Sequence, residues 1–105
     1  MPELIRNLPA FEGKNAWDAL DVGQVDSATV RVHWTDKPYK WHVNDGAEVF
    51  ILLSGAVDMK YREDGQEKSV SLKPGDAMTF DMGDEHVAHP TELSRILVIE
   101  RAGSV

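Results

Sequence analysis

From residue 28 onward the chain is cut every eight to twelve residues by a turn signal built from glycine, proline or an acidic residue. That punctuation leaves no room for a long helix and predicts an all-β barrel or sandwich of short strands. Residues 28–34 alternate, with Val30, Val32 and Trp34 on one face and Arg31 and His33 on the other. Asp36-Lys37-Pro38 breaks this run, and further strands are expected over 39–44, 48–54, 56–62, 67–72, 77–81, 86–89 and 95–100. Asp45-Gly46-Ala47 reads as a tight hairpin turn joining the second and third of these segments. Glu63-Asp64-Gly65 reads as a second hairpin turn, and Pro74-Gly75-Asp76 as a turn set by backbone geometry.

The chain has 105 residues, which suits one domain with a modest core. The barrel is expected over 28–100, with residues 1–25 packed on it or on a dimer partner. In that N-terminal segment, residues 15–20 suggest a single helical turn, and Leu4, Ile5 and Leu8 a cover for one barrel end. The segments 49–53 and 96–99 are apolar at both parities, as in strands buried on both faces. Either the N-terminal segment or a second subunit must cover their outer face, so a homodimer is expected.

A net charge of −7 disfavours nucleic acid and anionic membrane surfaces as partners. No apolar run approaches the ~20 residues of a membrane helix, and the first seven residues lack a basic-then-apolar leader pattern. The chain has no cysteine, which suits a cytoplasmic protein and leaves only nitrogen and oxygen to hold any metal.

Residues two apart on a strand share a face. With a three-residue hairpin loop, His42, Asn44 and Glu48 would project from one side, continued by Phe50 and Leu52 as an apolar wall. A carboxylate aimed inward needs a cation beside it. A divalent metal is one such cation and a buried Arg or Lys the rival, yet from His42 to Leu52 neither strand carries a basic residue of the right parity. Gly83-Asp84-Glu85-His86 offers another imidazole about forty residues along the chain.

The pattern resembles the cupins, a family of small jelly-roll barrels. His42, Asn44, Glu48 and Gly55 fall at the spacings of the family's first motif, with Asp36 in place of its leading glycine. Gly75, Gly83 and His86 fit the second motif, where Asp81 replaces a proline and Pro90 an asparagine. The resemblance covers residues 28–100 and implies a double-stranded β-helix barrel. It implies metal ligation by His42, Asn44, Glu48 and His86, with Asn44 standing where the family has a second histidine. Two histidines and one carboxylate suit Fe(II), and Mn, Ni or Zn as well.

The resemblance further implies a small-molecule ligand or substrate. If the protein is an enzyme, the family's metal-dependent oxygenase, isomerase and lyase activities are all open. The alternatives are a non-catalytic, small-ligand-binding sensor, with or without metal, and a metal-free structural barrel. Asp81, Asp84 and Glu85 flank His86 and are candidates to hold its second ring nitrogen. His33 reads as exposed or at the pocket rim, and His89 as a histidine turned away from His86. Trp34, Trp41 and Met78 read as packing residues. No nucleophile elbow, phosphate-binding glycine loop or catalytic cysteine is present.

Overall fold

A computed structural model describes residues 1–104. Nine strands follow one 3-10 turn at Leu8–Ala10: β1 (Asp18–Val25), β2 (Ala28–Thr35), β3 (His42–Val43), β4 (Glu48–Ser54), β5 (Val57–Glu63), β6 (Gln66–Leu72), β7 (Ala77–Phe80), β8 (Glu85–Pro90) and β9 (Ser94–Arg101). They form two antiparallel sheets, β1-β2-β9-β4-β7 and β3-β8-β5-β6. The sheets face each other over a core to which the first contributes Phe50, Leu52, Phe80, Ile96 and Val98. Val57, Met59, Leu72 and Ala88 come from the second. The jelly-roll barrel expected from the strand punctuation is therefore present. Among the described residues no helix is long and apolar enough to cross a membrane.

The expected hairpin at 45–47 does not form. His42 pairs with His86 on β8, and Glu48 pairs with Phe80 on β7 and Glu100 on β9. Residues 44–47 instead carry the chain from one sheet to the other. Backbone bonds hold this corner: Asn44 N–H donates to the Asp84 carbonyl at 2.8 Å, and Gly83 N–H donates to the Asn44 carbonyl at 2.8 Å. The local Asn-Asp-Gly turn chemistry is satisfied, but the strands on either side find different partners.

The N-terminal segment also departs from expectation. Residues 15–17 are a turn rather than a helix, and Asp18 begins β1. The Asp18 carboxylate accepts from the backbone N–H of Lys14 at 2.8 Å and of Asn15 at 3.0 Å. These two bonds hold its pKa below the ordinary value and close the turn in a side-chain-capped form that competes with helix. Trp17 then takes a left-handed backbone (φ 67°) and donates its N–H to the Trp34 carbonyl at 2.9 Å.

Further upstream the segment lies along the outer face of the first sheet. Its 3-10 turn packs on β4, and Arg95 donates to the Phe11 carbonyl at 2.9 Å. Leu4 is nevertheless exposed. On β2 the two faces reverse the polarity that the alternation suggests. Val32 pairs with Leu97 on the outer side and is fully buried, while Arg31 and His33 share the inner face with Val98 and Ile96.

Candidate metal centre

Three side chains meet at one end of the barrel interior. His42 and His86 come from neighbouring strands of the second sheet, their ring centroids 4.2 Å apart. Glu48 comes from the first sheet. One donor atom from each lies within 4.8 Å of the others. The convergence expected from the hairpin thus arises by another route, the meeting of two inner faces across the barrel.

Each imidazole is held differently. His42 Nδ1 lies 3.2 Å from the Lys40 carbonyl, so it is the protonated nitrogen and Nε2 is left as the donor atom. The His86 ring stacks on Phe80, centroids 3.8 Å apart and planes 8° from parallel. Its Nε2 faces Glu48 Oε1 at 3.3 Å, while Nδ1 is buried with no hydrogen-bond partner. Burial, followed by the charge of His42, lowers the His86 pKa to about 4, against a weaker opposite pull from Asp84. The imidazole is accordingly neutral near pH 7, the state in which it can ligate a metal.

None of the flanking acids serves as its second-nitrogen partner. Asp84 accepts the Asp81 N–H at 2.7 Å within its own loop, and Glu85 pairs with Arg62 at 2.6 Å.

Asn44 Nδ2 donates to Glu48 Oε1 at 3.0 Å and reaches the Gly46 carbonyl at 3.4 Å. Its Oδ1 is buried and unpartnered. Burial raises the Glu48 pKa, and the Asn44 bond and His42 pull it down only in part. No lysine or arginine pairs with Glu48 among the described residues.

A buried carboxylate facing two imidazoles, with the Asn44 amide oxygen beside it buried and unpartnered, is a donor set short of a cation. The chemistry fits a divalent transition metal held by two histidines and a carboxylate.

A cavity of about 240 Å³ opens from this point, with His42 and Glu48 at its inner end. Phe50, Ala88 and Val98 line its apolar part. Trp17 and Tyr39 form an aromatic wall that continues edge-to-face onto His42, with centroids 5.1 Å and 5.7 Å apart along the series. Arg31, His33 and Glu100 complete its polar lining.

His33 is thus a pocket residue, its Nδ1 3.2 Å from the Trp17 carbonyl and its pKa lowered chiefly by burial. Glu100 pairs in register with Glu48, so the two carboxylates share a face. Burial first, then Glu48 and Asp45, push its pKa up to about 7.

Sequence reasoning missed Arg31, Glu100, Trp17 and Tyr39 as pocket residues. The signal for Glu100 was its parity with Val98 on an otherwise apolar strand. Trp41 packs outside, with the Arg62 guanidinium 4.0 Å from its ring centroid. His89 sits opposite Asp58 on the face turned away from His86.

No family model and no curated protein matches this sequence. Solved structures do match. A cupin-2 domain protein from Shewanella frigidimarina has a TM-score of 0.75 at 21% identity, over 85% of this chain and 84% of that one. A cupin superfamily protein from Desulfitobacterium hafniense has a TM-score of 0.77 at 15% identity, over 94% of this chain and 93% of that one. A hydroquinone 1,2-dioxygenase, solved in complex with Fe3+, has a TM-score of 0.74 at 19% identity, over 86% of this chain and 29% of that one. At such identities the likeness speaks for architecture, and it agrees with the topology and the motif spacing: the protein has the fold of a small cupin.

Proposed function

We propose that this protein is a small metal-dependent cupin whose barrel binds a divalent transition metal and, next to it, a small polar molecule. His42, Glu48 and His86 are the ligands of this reading. Asn44 serves the site twice: Nδ2 fixes Glu48, and Oδ1 is a fourth, neutral donor. The observation that carries the reading is the buried Glu48 carboxylate, set within 4.8 Å of two imidazole donors and paired with no basic side chain among the described residues. The Fe3+ in the dioxygenase of like fold supports a transition metal in this architecture. Bound there, a divalent ion would supply Lewis acidity and open coordination positions toward the cavity. The chain's own part is to keep the donors deprotonated, hold their geometry and wall the ligand off with Phe50, Tyr39 and Trp17.

The test is direct. Protein purified without chelators carries close to one transition metal per chain. The metal-free form gains thermal stability on adding Fe, Mn, Ni or Zn, because an ion that binds only the native state must stabilise it. No gain with any of the four overturns the reading. The same reading takes the protein as a cytoplasmic homodimer, supported by the cysteine-free composition and by strands apolar on both faces. Sedimentation at equilibrium checks the dimer.

A further inference from the structure

The dipeptide Asp-Gly occurs at Asp45-Gly46 and again at Asp64-Gly65. This pairing is the one most open to backbone isomerisation, because glycine has no side chain to shield its nitrogen and leaves the backbone free to rotate. The glycine amide nitrogen attacks the neutral side-chain carboxyl of the aspartate. A C–N bond forms and the carboxyl C–O bond breaks. The hydroxyl leaves with the amide proton as water, and a five-membered succinimide remains. Water then opens the ring at either carbonyl, restoring aspartate or leaving isoaspartate, in which the chain runs through the side-chain carbon. No other reactant is needed.

The fold sets up the two sites differently. Asp45 is clasped from the C-terminal turn: Ser104 Oγ donates to its Oδ1 at 2.7 Å, and Arg101 Nη2 lies 3.2 Å from its Oδ2. That turn is itself tied down, by the Ala102 N–H on the Ser27 carbonyl at 2.8 Å and the Ser104 N–H on the Arg101 carbonyl at 3.1 Å. To reach the Gly46 nitrogen, the Asp45 carboxyl must leave both donors. Asp64 stands exposed at the tip of the β5–β6 hairpin and pairs with no basic side chain among the described residues. Its backbone is left-handed (φ 52°), a costly state for a residue with a Cβ, and Gly65 follows at φ 75°. The space around Gly65 is open, since a Cβ there meets nothing within 4 Å. Loop tips of this kind open locally at little cost, which frees the aspartate to rotate into the attacking geometry.

We propose that Asp64-Gly65 is a site of spontaneous isoaspartate formation, and that Arg101 and Ser104 guard Asp45-Gly46 against the same reaction. The guarded bond is the one where the change would do harm. Isoaspartate at 45 lengthens the backbone between Asn44 and Glu48, whereas at 64 it lengthens only a hairpin tip. The harm to a metal site rests on the metal-site reading, but the difference in reactivity does not.

Ageing the protein for several weeks at neutral pH in water enriched in heavy oxygen tests this, because each opened succinimide gains one heavy oxygen. Peptide mapping locates the label, and synthetic peptides spanning each site give the rate without structure. Label at 64 is expected to exceed label at 45 by about tenfold or more, the factor set by the two bonds that Asp45 must give up. In the double variant Arg101→Gln/Ser104→Ala, position 45 should become labelled and the difference should close. Thermal unfolding checks that this variant folds. If it does not, Ser104→Ala alone decides, with label at 45 expected to rise.

Label at 45 equal to or above that at 64 in the wild-type protein overturns the proposal. So does an unlabelled Asp64 once its peptide has converted, or a ratio unchanged in the variants. No metal enters the measurement, so its failure leaves the metal-site reading standing.

Discussion

The side-chain amide of Asn44 donates to Glu48 Oε1 at 3.0 Å, and both residues are buried. A residue occupying a metal-ligand position of the cupin pattern therefore also fixes the carboxylate beside it. Orienting groups of this kind commonly alter metal affinity by ~10- to 100-fold.

Asn44→Ala should weaken metal binding by about tenfold, because Glu48 loses its only side-chain hydrogen bond besides the His86 contact. Asn44→His should strengthen it by adding an imidazole donor. Competition with a fluorescent chelator reads both, and unchanged affinity in Asn44→Ala would remove that residue from the site.

His86→Ala should abolish stoichiometric metal. It should also destabilise the metal-free protein by about 1–2 kcal/mol, since the buried ring stacked on Phe80 is lost. Metal analysis and urea denaturation separate the two effects. A variant retaining one metal per chain would sink the assignment of His86 as a ligand.

The pH dependence of the metal-free protein should carry two opposing signs. Glu100 has a folded-state pKa raised to about 7, so its contribution is present below the unfolded value and is lost as pH rises toward 7. His86 is lowered to about 4, so stability falls as pH drops from its unfolded value near 6.5 toward 4. Glu100→Gln should thus stabilise the metal-free protein more at pH 8 than at pH 5. The difference should be on the order of 1 kcal/mol, discounted for the partial exposure of the side chain. Equal effects at the two pH values would mean that Glu100 ionises as an ordinary surface acid.

Gly55 and Gly65 separate backbone strain from steric conflict. Both have positive φ, 95° and 75°. A Cβ on Gly55 would lie 2.3 Å from Ser94 Oγ and 2.5 Å from the Leu93 carbonyl, whereas a Cβ on Gly65 meets nothing within 4 Å. Gly65→Ala should cost about 1 kcal/mol, the conformational penalty alone. Gly55→Ala should cost about 2–4 kcal/mol, because backbone must also move. Chemical denaturation of the pair measures the difference, and equal costs would show that the Ser94 loop yields freely.

Much of the barrel was legible because turn chemistry is local. The hairpin at Glu63–Gly65 formed as its residues demand, with Glu63 paired to Gln66. The turn at 45–47 carries an equally good local signal and joins no hairpin, because His42 and Glu48 gain more by pairing with β8 and with β7 and β9. Turn residues encode where a chain bends and leave open which strand it meets next.

β1 was hidden for a related reason. It is an edge strand with two aspartates and a glycine, half-paired and largely exposed, so its composition is that of a loop. For His33 the sequence left solvent and the pocket rim both open, because a polar face ordinarily means solvent, and Arg31 shares that face. Here the polar face is the wall of the cavity, and the apolar face of β2 is the outer one.

The donors of the candidate metal centre belong to both sheets, His42 and His86 to one and Glu48 to the other. An ion coordinated there is a cross-link across the seam of the barrel, closing a loop between segments about forty residues apart. Its loss should let the seam breathe. Amide protons at the β3–β4 corner and at the start of β8 would then exchange by local opening while β2 and β9, knit together from Ala28 to Thr35, stay protected. The metal would govern the rigidity of one rim and leave the rest of the barrel to its hydrophobic core.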